Sequence, residues 1–322
     1  MQNSDVTAFD IIGDVHGMGT ALEQLLARLD YQETDAGFVY KGAGPKRQAI
    51  FLGDILDRGP EIRKSLAIVK KMVDNGNAQM VLGNHEFNAL AYHTPIDQGF
   101  LRPRNERSEK QIKATLEQFD DAPKLWQEYL QWFKTLPLWL EFEHFRVVHA
   151  CWDHQMIDEY LRRYGTNHIT KDMLPESVQT DSFLYQFLDR MLRGTSLKLP
   201  DGRSMTAKDG MVRQFFRTKF WAGDPQRYND VIFQPDPLPE DLQHALLSED
   251  EKEQLLFYGP DEKPLFIGHY WMSGLPEPIV PNIACLDYSA VKYGRLVAYR
   301  MDTERHLQKG KFAWVRVEKK ER

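Results

Sequence analysis

AIFLGDILDRG, residues 49–59, is a short apolar run that stops at a glycine and opens into Asp54, Asp57 and Arg58. Working outward, FDIIGDVHG at 9–17 and QMVLGNHE at 79–86 follow the same plan, ending in Asp14-Val15-His16 and in Asn84-His85-Glu86. After the first run, Leu22, Leu25, Leu26 and Leu29 recur at helical spacing within residues 18–29, and after the second the apolar positions are 62, 66, 69 and 73. The third leads into a helix expected from Glu86 to Tyr92. Strand, turn and helix repeated three times predict an α/β sheet with crossover helices. Ligands of such sheets bind at the carboxyl ends of the strands, so the three polar turns are expected to converge.

Further along, residues 110–135 read as helix, with Leu116, Phe119, Leu125, Tyr129, Leu130 and Phe133 as a mixed apolar face. Arg146 to His149 reads as a strand ending in His149-Ala-Cys. From about 153 to 260 the pattern changes to polar helices and a Pro- and acid-rich run, FQPDPLPEDLQ at 233–243, expected to be a cap-like insertion within one domain spanning 1–322. PLFIG (264–268), IACLD (283–287), RLVAYR (295–300) and FAWVRV (312–317) predict closing antiparallel strands.

Composition narrows the function. The chain has 322 residues, 42% hydrophobic, enough for one large domain with an insertion. A net charge of −6 argues against a nucleic acid as main partner, since such proteins usually present a basic face, but allows a local basic pocket. Cys151 and Cys285 lack the spacing of a disulfide framework or thiolate metal site, and each is expected to be a small packed hydrophobe in a reducing cytoplasm. MQNSDVTAFD has no basic stretch followed by an apolar run, and no segment is apolar for long enough to span a membrane, so a soluble, unexported chain is expected.

Asp, His and Asn side chains at these turns supply oxygen and nitrogen ligands suited to Mn, Fe or Zn, and one carboxylate can serve two ions about 3.5–4 Å apart. Asp14 and His16, two apart on an extended segment, face one side and can address one ion. At roughly one in twenty per fixed residue, the five positions of GDxxDRG arise by accident in a chain of this length about once in ten thousand. Glycines at 13, 53 and 83 let the backbone approach the site closely.

GDVHG (13–17), GDILDRG (53–59), LGNHE (82–86), VVHA (147–150) and IGHYW (267–271) together resemble the calcineurin-like metallophosphoesterases, in particular the phosphoprotein phosphatase branch and its diadenosine tetraphosphate hydrolase relatives. The resemblance implies a four-layer αββα sandwich of mixed sheets with a helical insertion. It also implies one ion on Asp14, His16 and Asp54 and a second on Asp54, Asn84, His149 and His269, with Mn2+ the expected ion and Fe or Zn the alternatives. His85 maps onto the family's general acid, Asp57 onto its orienting carboxylate and Arg58 onto a phosphate-gripping arginine. The implied chemistry is in-line attack on phosphorus by a hydroxide bridging the two ions.

Gly268-His269-Tyr270-Trp271 lacks the second histidine of the Gly-His-x-His found in many nuclease and cyclic phosphodiesterase relatives, which favours the phosphoprotein phosphatase branch. The 119 residues between His149 and His269 exceed the family's usual interval. They contain the basic cluster Arg213 to Lys219, where Arg217, ahead of Arg213, is expected to bind phosphate. The expected partner is a phosphorylated substrate: a phosphoprotein or phosphomonoester first, a dinucleoside polyphosphate as the alternative. A non-catalytic scaffold on the same fold would predict a lost ligand, and none is missing. Phe215, Phe216, Phe220, Trp221 and Tyr228 suit either the insertion's own core or a base-stacking surface.

Overall fold

The computed structural model describes residues 6–206, 212–233 and 238–318. Strands β1 (Ala8–Ile12), β2 (Arg47–Phe51) and β3 (Ala78–Met80) run parallel, with Ile11 opposite Ile50 and Ile50 opposite Gln79. A second sheet is built from β4 (Trp139–Glu141), β5 (Arg146–Val148), β6 (Leu265–Ile267) and β7 (Ile283–Cys285) in the order β7-β6-β5-β4. The chain then returns to the first sheet as β8 (Asp287–Tyr288), β9 (Arg295–Met301) and β10 (Phe312–Arg316), where β9 lies antiparallel to β1, β8 and β10. Both sheets are mixed.

Alternation along the strands separates two apolar faces. Ile11, Ile50, Val147, Phe266 and Tyr299 face a core between the sheets, and the Phe266 ring touches Phe145 from one side and Tyr299 from the other at 5.9 and 5.1 Å. Ile12, Phe51, Ile267 and Cys285 face outward onto helices. The first sheet is covered by α1 (Gly19–Arg28) and α2 (Ile62–Asp74), whose Leu22, Leu25, Leu66 and Val69 are fully buried. Along the chain follow α3 (Asn84–His93), α4 (Glu106–Gln118), α5 (Pro123–Phe133), α6 (His154–Tyr164) and α7 (Phe183–Arg193). Trp139 of β4 meets Tyr160 of α6 at 5.7 Å and Phe187 of α7 at 6.0 Å, so these two helices cover the second sheet. The result is helix, sheet, sheet, helix: the αββα sandwich.

Three local expectations change. The helix expected over 110–135 is two helices, α4 and α5, broken at Asp120 and Asp121, because Pro123 begins the second at a position where a proline needs no amide partner. PLFIG and IACLD pair parallel, not antiparallel, and only β8, β9 and β10 close the fold antiparallel. The basic cluster at 213–219 forms a short strand, Phe215–Arg217, paired with Ser196–Lys198. Within 153–260, α6 and α7 belong to the main sandwich, while Leu197, Phe216, Tyr228, Val231 and Leu247 form a small core of their own. Four residues of the Pro- and acid-rich run, 234–237, lie outside the described residues.

Phe266 bridges the two sheets with no exposed surface. Phe266→Ala is expected to cost about 3–5 kcal/mol in urea denaturation, through lost burial and the cavity it leaves. A loss below about 1 kcal/mol would show that the sheets are not interlocked there.

Candidate metal centre

The turns after β2 and β3 touch backbone to backbone. A Cβ on Gly53 would lie 2.5 Å from the Gly83 nitrogen, and one on Gly83 would lie 2.4 Å from both the nitrogen and Oδ1 of Asp54, so neither position admits a side chain. Glu86, in the first turn of α3, locks the two together: its carboxylate accepts from the backbone N–H of Gly83 (3.1 Å), Asp54 (2.8 Å) and Ile55 (2.8 Å). Of the ten non-glycine residues with positive φ among the described residues, five belong here: His16, Asp54, Asp57, Arg58 and His269. Such conformations persist only where the surroundings enforce them, and they collect at functional sites.

The side chains meet on Asp54. Its Oδ1 accepts from the N–H of His85 at 2.9 Å, which leaves Oδ2 facing Nε2 of His149, His16 and His85 at 3.5, 3.7 and 3.9 Å. His16 and His149 each point Nδ1 at a carbonyl, Leu56 at 3.0 Å and Leu52 at 2.7 Å. A carbonyl can only accept, so each Nδ1 carries a proton and each ring turns Nε2 inward, the atom that binds a metal once it has lost its own proton. Asn84 Oδ1, another acceptor, sits 3.0 Å from His149 Nε2 and 2.8 Å from His269 Nδ1. Asp14 accepts from the His269 N–H at 3.2 Å through Oδ2, while its buried Oδ1 has no hydrogen-bond partner.

This donor set fits cations. Two groups, one of His16, Asp54 and His85 and one of Asp54, His149 and His269, each bring ligand atoms within 4.8 Å of one another and share Asp54. In the first, the His85 ring is already engaged on both nitrogens, by Asp57 and Arg58, whereas Asp14 holds an unsatisfied oxygen. The acid, not His85, is therefore the better ligand. Electrostatics agree: burial, and next the Asp287 carboxylate, hold Asp14 well above the ordinary carboxylate range, as expected of an anion lacking a countercharge. Burial opposes charge on His149, but the Asp54 carboxylate outweighs it and pushes the imidazole up to about 10. Burial, followed by Asp54, raises Glu86 to about 7.

Beside this group, His85 Nδ1 lies 2.6 Å from Asp57 Oδ2, and Thr115 of α4 bonds the other Asp57 oxygen. Arg58 Nη2 donates to His85 Nε2 at 3.1 Å and Arg217 Nη2 to His269 Nε2 at 2.9 Å, so both guanidiniums face the centre. Arg213 lines the adjoining cleft. That cleft, about 1020 Å3, runs from Arg58, Asn84 and His85 to Arg102, Arg193 and Phe215. A larger depression of about 1260 Å3, lined by Phe9, Phe142 and His144, contains none of these residues.

Every metal-site residue expected from the sequence is thus gathered in one place. Three contributors went unassigned. Glu86 was visible in LGNHE, and its place one turn into a helix that opens at the site was the available signal. Asp287, buried with Oδ2 unpartnered, stands at the end of the IACLD run, where strand ends carry function. Thr115 is 58 residues from Asp57, and no local pattern announces it. Of the aromatics at 215–228, Phe216, Phe220 and Tyr228 are buried and only Phe215 is strongly exposed, in the cleft.

The sequence profile of the calcineurin-like phosphoesterases matches residues 7–194. The chain belongs to the calcineurin-like phosphoesterases. Among calcineurin-like phosphoesterases and their neighbours, it is 31% identical over 157 residues to a bis(5'-nucleosyl)-tetraphosphatase PrpE [asymmetrical] of Oceanobacillus iheyensis, covering 47% of this chain and 57% of that protein. It is 27% identical over 302 residues to a symmetrical bis(5'-nucleosyl)-tetraphosphatase of Tolumonas auensis, covering 90% of this chain and 92% of that protein. It spans about half the length of several further relatives with these names. A cold-active protein-tyrosine phosphatase of a psychrophilic Shewanella aligns over 94% of this chain and 81% of that one, with 16% identity and a TM-score of 0.47. Among the described residues, no helix is long and apolar enough to cross a membrane.

Because an ion must displace the proton that Asp54 holds on His149, metal affinity is expected to rise with pH up to about 10. Titration of Mn2+ by calorimetry in buffers of different ionisation enthalpy should show proton release that is smaller for His149→Asn. Equal release by both proteins would remove His149 from the ligand set.

Proposed function

We propose that the chain hydrolyses phosphoesters at a two-metal centre held by Asp14, His16, Asp54, Asn84, His149 and His269. The observation that carries this reading is the convergence of carboxylate, amide and imidazole acceptors on Asp54, with a buried Asp14 oxygen left without a donor. Mn2+ is the expected ion, Fe or Zn the alternatives; bound there, two such ions lower the pKa of water and offset charge on phosphoryl oxygens. Arg58 and Arg217 each offer a planar fork to those oxygens. As Arg58 turns from His85 Nε2 to a phosphoryl oxygen, Nε2 is freed to take a proton from water and pass it to the leaving oxygen, while Asp57 holds the ring through Nδ1. Residues 195–258, with their separate small core, serve as a cap-like wall of the cleft through Arg213, Phe215 and Arg217.

Two substrate classes suit this centre: phosphomonoesters, including phosphoserine and phosphothreonine proteins, and dinucleoside polyphosphates. The cleft favours the second. Among the described residues, six arginines, Arg58, Arg102, Arg107, Arg193, Arg213 and Arg217, line it against one carboxylate, Asp189, in a chain whose net charge is −6. A single phosphoryl group does not occupy that much positive surface, and relatives named as bis(5'-nucleosyl)-tetraphosphatases support the same reading.

The test is hydrolysis of p-nitrophenyl phosphate, a phosphothreonine peptide and diadenosine tetraphosphate with and without Mn2+. Asp54→Asn is expected to abolish metal-dependent turnover of all three, and retained turnover would refute the two-metal reading. His85→Asn should lower kcat by roughly 10²–10⁴ on the phosphothreonine peptide and much less on p-nitrophenyl phosphate, whose leaving group needs no proton. Equal losses on both would deny His85 the role of acid.

A further inference from the structure

The cleft extends beyond the metal centre along α3. Asn84 and Asn88 are one turn apart and share a face of that helix. Asn88 Oδ1 accepts from Arg193 Nη2 at 3.1 Å, and Arg193 Nη1 bonds Asp189 at 3.0 Å. Arg102 is half-buried, its backbone N–H tied to the Ala91 carbonyl at the far end of α3 and its guanidinium donating to Gln111 Oε1 at 2.6 Å. Arg107, exposed in the first turn of α4, lines the same cleft.

The neutral amides of Asn88 and Gln111 thus help orient these guanidiniums, and of the three arginines Arg193 pairs with a carboxylate, Asp189. Among the described residues, neither Arg102 nor Arg107 has a carboxylate within ion-pair distance, and Asp189 is the one acid lining the cleft. Burial first, and then the charges of Arg193 and Arg107, weaken the hold of Arg102 on its proton, so the three lie within mutual repulsion. Folding like charges together around open space is unfavourable unless an anion joins them. The cluster is also continuous with the centre: Arg102 and Asp57 line one small cavity, and a single cleft holds Asn84, His85, Arg102 and Arg193.

We propose that Arg102, Arg107 and Arg193 form a second anion subsite, which takes one phosphoryl group of a polyphosphate chain while another lies at the metal centre. This rests on the phosphoester reading above and adds the substrate feature it selects: two or more linked phosphoryl groups. The subsite begins one helical turn, about 5.4 Å, from Asn84, a reach suited to phosphates further along the same chain. A monoester engages the centre alone and gains nothing from the three arginines. Guanidinium forks are well suited to non-bridging phosphate oxygens, which they bind in pairs.

The experiment compares the full chain with Arg102→Gln/Arg193→Gln and with the surface variant Arg107→Gln, at fixed free Mn2+, on p-nitrophenyl phosphate, inorganic tripolyphosphate and diadenosine tetraphosphate. The ratio of kcat/KM for either polyphosphate to that for p-nitrophenyl phosphate is expected to fall about tenfold or more in the double variant and about threefold in Arg107→Gln, carried by KM. A fall restricted to diadenosine tetraphosphate would assign the arginines to the nucleoside ends and overturn the proposal. So would equal losses on all substrates, or none. Calorimetry on metal-free protein tests the subsite without turnover: inorganic tripolyphosphate should bind the wild type more tightly than orthophosphate does, and the double variant should bind both alike. If no substrate is hydrolysed but this difference holds, the phosphoester reading fails and the subsite stands; if the wild type does not prefer tripolyphosphate, the subsite fails.

Discussion

Asp54 is pinned by its backbone N–H to Glu86 and by Oδ1 to the N–H of His85, so Oδ2 has a single direction left, toward three imidazoles. That constraint begins in the backbone. Gly53 and Gly83 come so close that any Cβ would part them, and the Glu86 carboxylate then ties both turns with three N–H bonds. Asp54, Asp57 and Arg58 of this turn take left-handed conformations, and all three side chains face the His85 ring. Strain of this kind is tolerated because a rigid sandwich stands behind it.

The two sheets divide the work. Asp14, Asp54 and Asn84 come from the ends of the parallel strands of the first sheet, and His149 and His269 from the parallel pair β5 and β6 of the second. Packing the sheets face to face through Phe145, Phe266 and Tyr299 therefore aligns both sets of strand ends at one rim. Shifting one sheet along the other would separate Asp54 from His149, so the stability of the inter-sheet core and the geometry of the centre are one problem.

Charge is organised on two scales. The innermost shell is rich in carboxyl groups: Asp14, Asp54, Asp57, Glu86 and Asp287 are all buried together, with Asp14 and Asp287 each holding an unpartnered oxygen. Around it, the cleft is lined by arginines brought from α4, α7, the loop after α3 and the strand at 215–217. An acidic chain can thus present a strongly cationic cleft, because net charge counts residues while binding responds to the field where they face one another. Tyr270 and Trp271 support the inner arginines, with Arg217 over the Tyr270 ring at 5.1 Å and Arg58 over Trp271 at 5.0 Å.

Much of this was legible in the chain. The runs ending at Gly53 and Gly83 announced the strand ends, and leucines at 22, 25, 26 and 29 announced α1, because strand and helix periods are local properties of side-chain direction. The gathering of the candidate metal-site residues could be read for the same reason: each stands close after an apolar run, where a strand must end. The parallel pairing of PLFIG with IACLD could not, since register depends on a partner distant in sequence. Nor could Thr115 behind Asp57, or the placing of Arg102 and Arg193 in one cleft, because proximity across 58 and 91 positions exists only once α4 and α7 have docked. The sequence alone determined which polar residues stand at the strand ends, through local spacing that chance does not produce. Tertiary structure alone decided which charges go uncompensated and how far the cleft reaches, because burial and electrostatic field arise from packing rather than from any residue's neighbours in the chain.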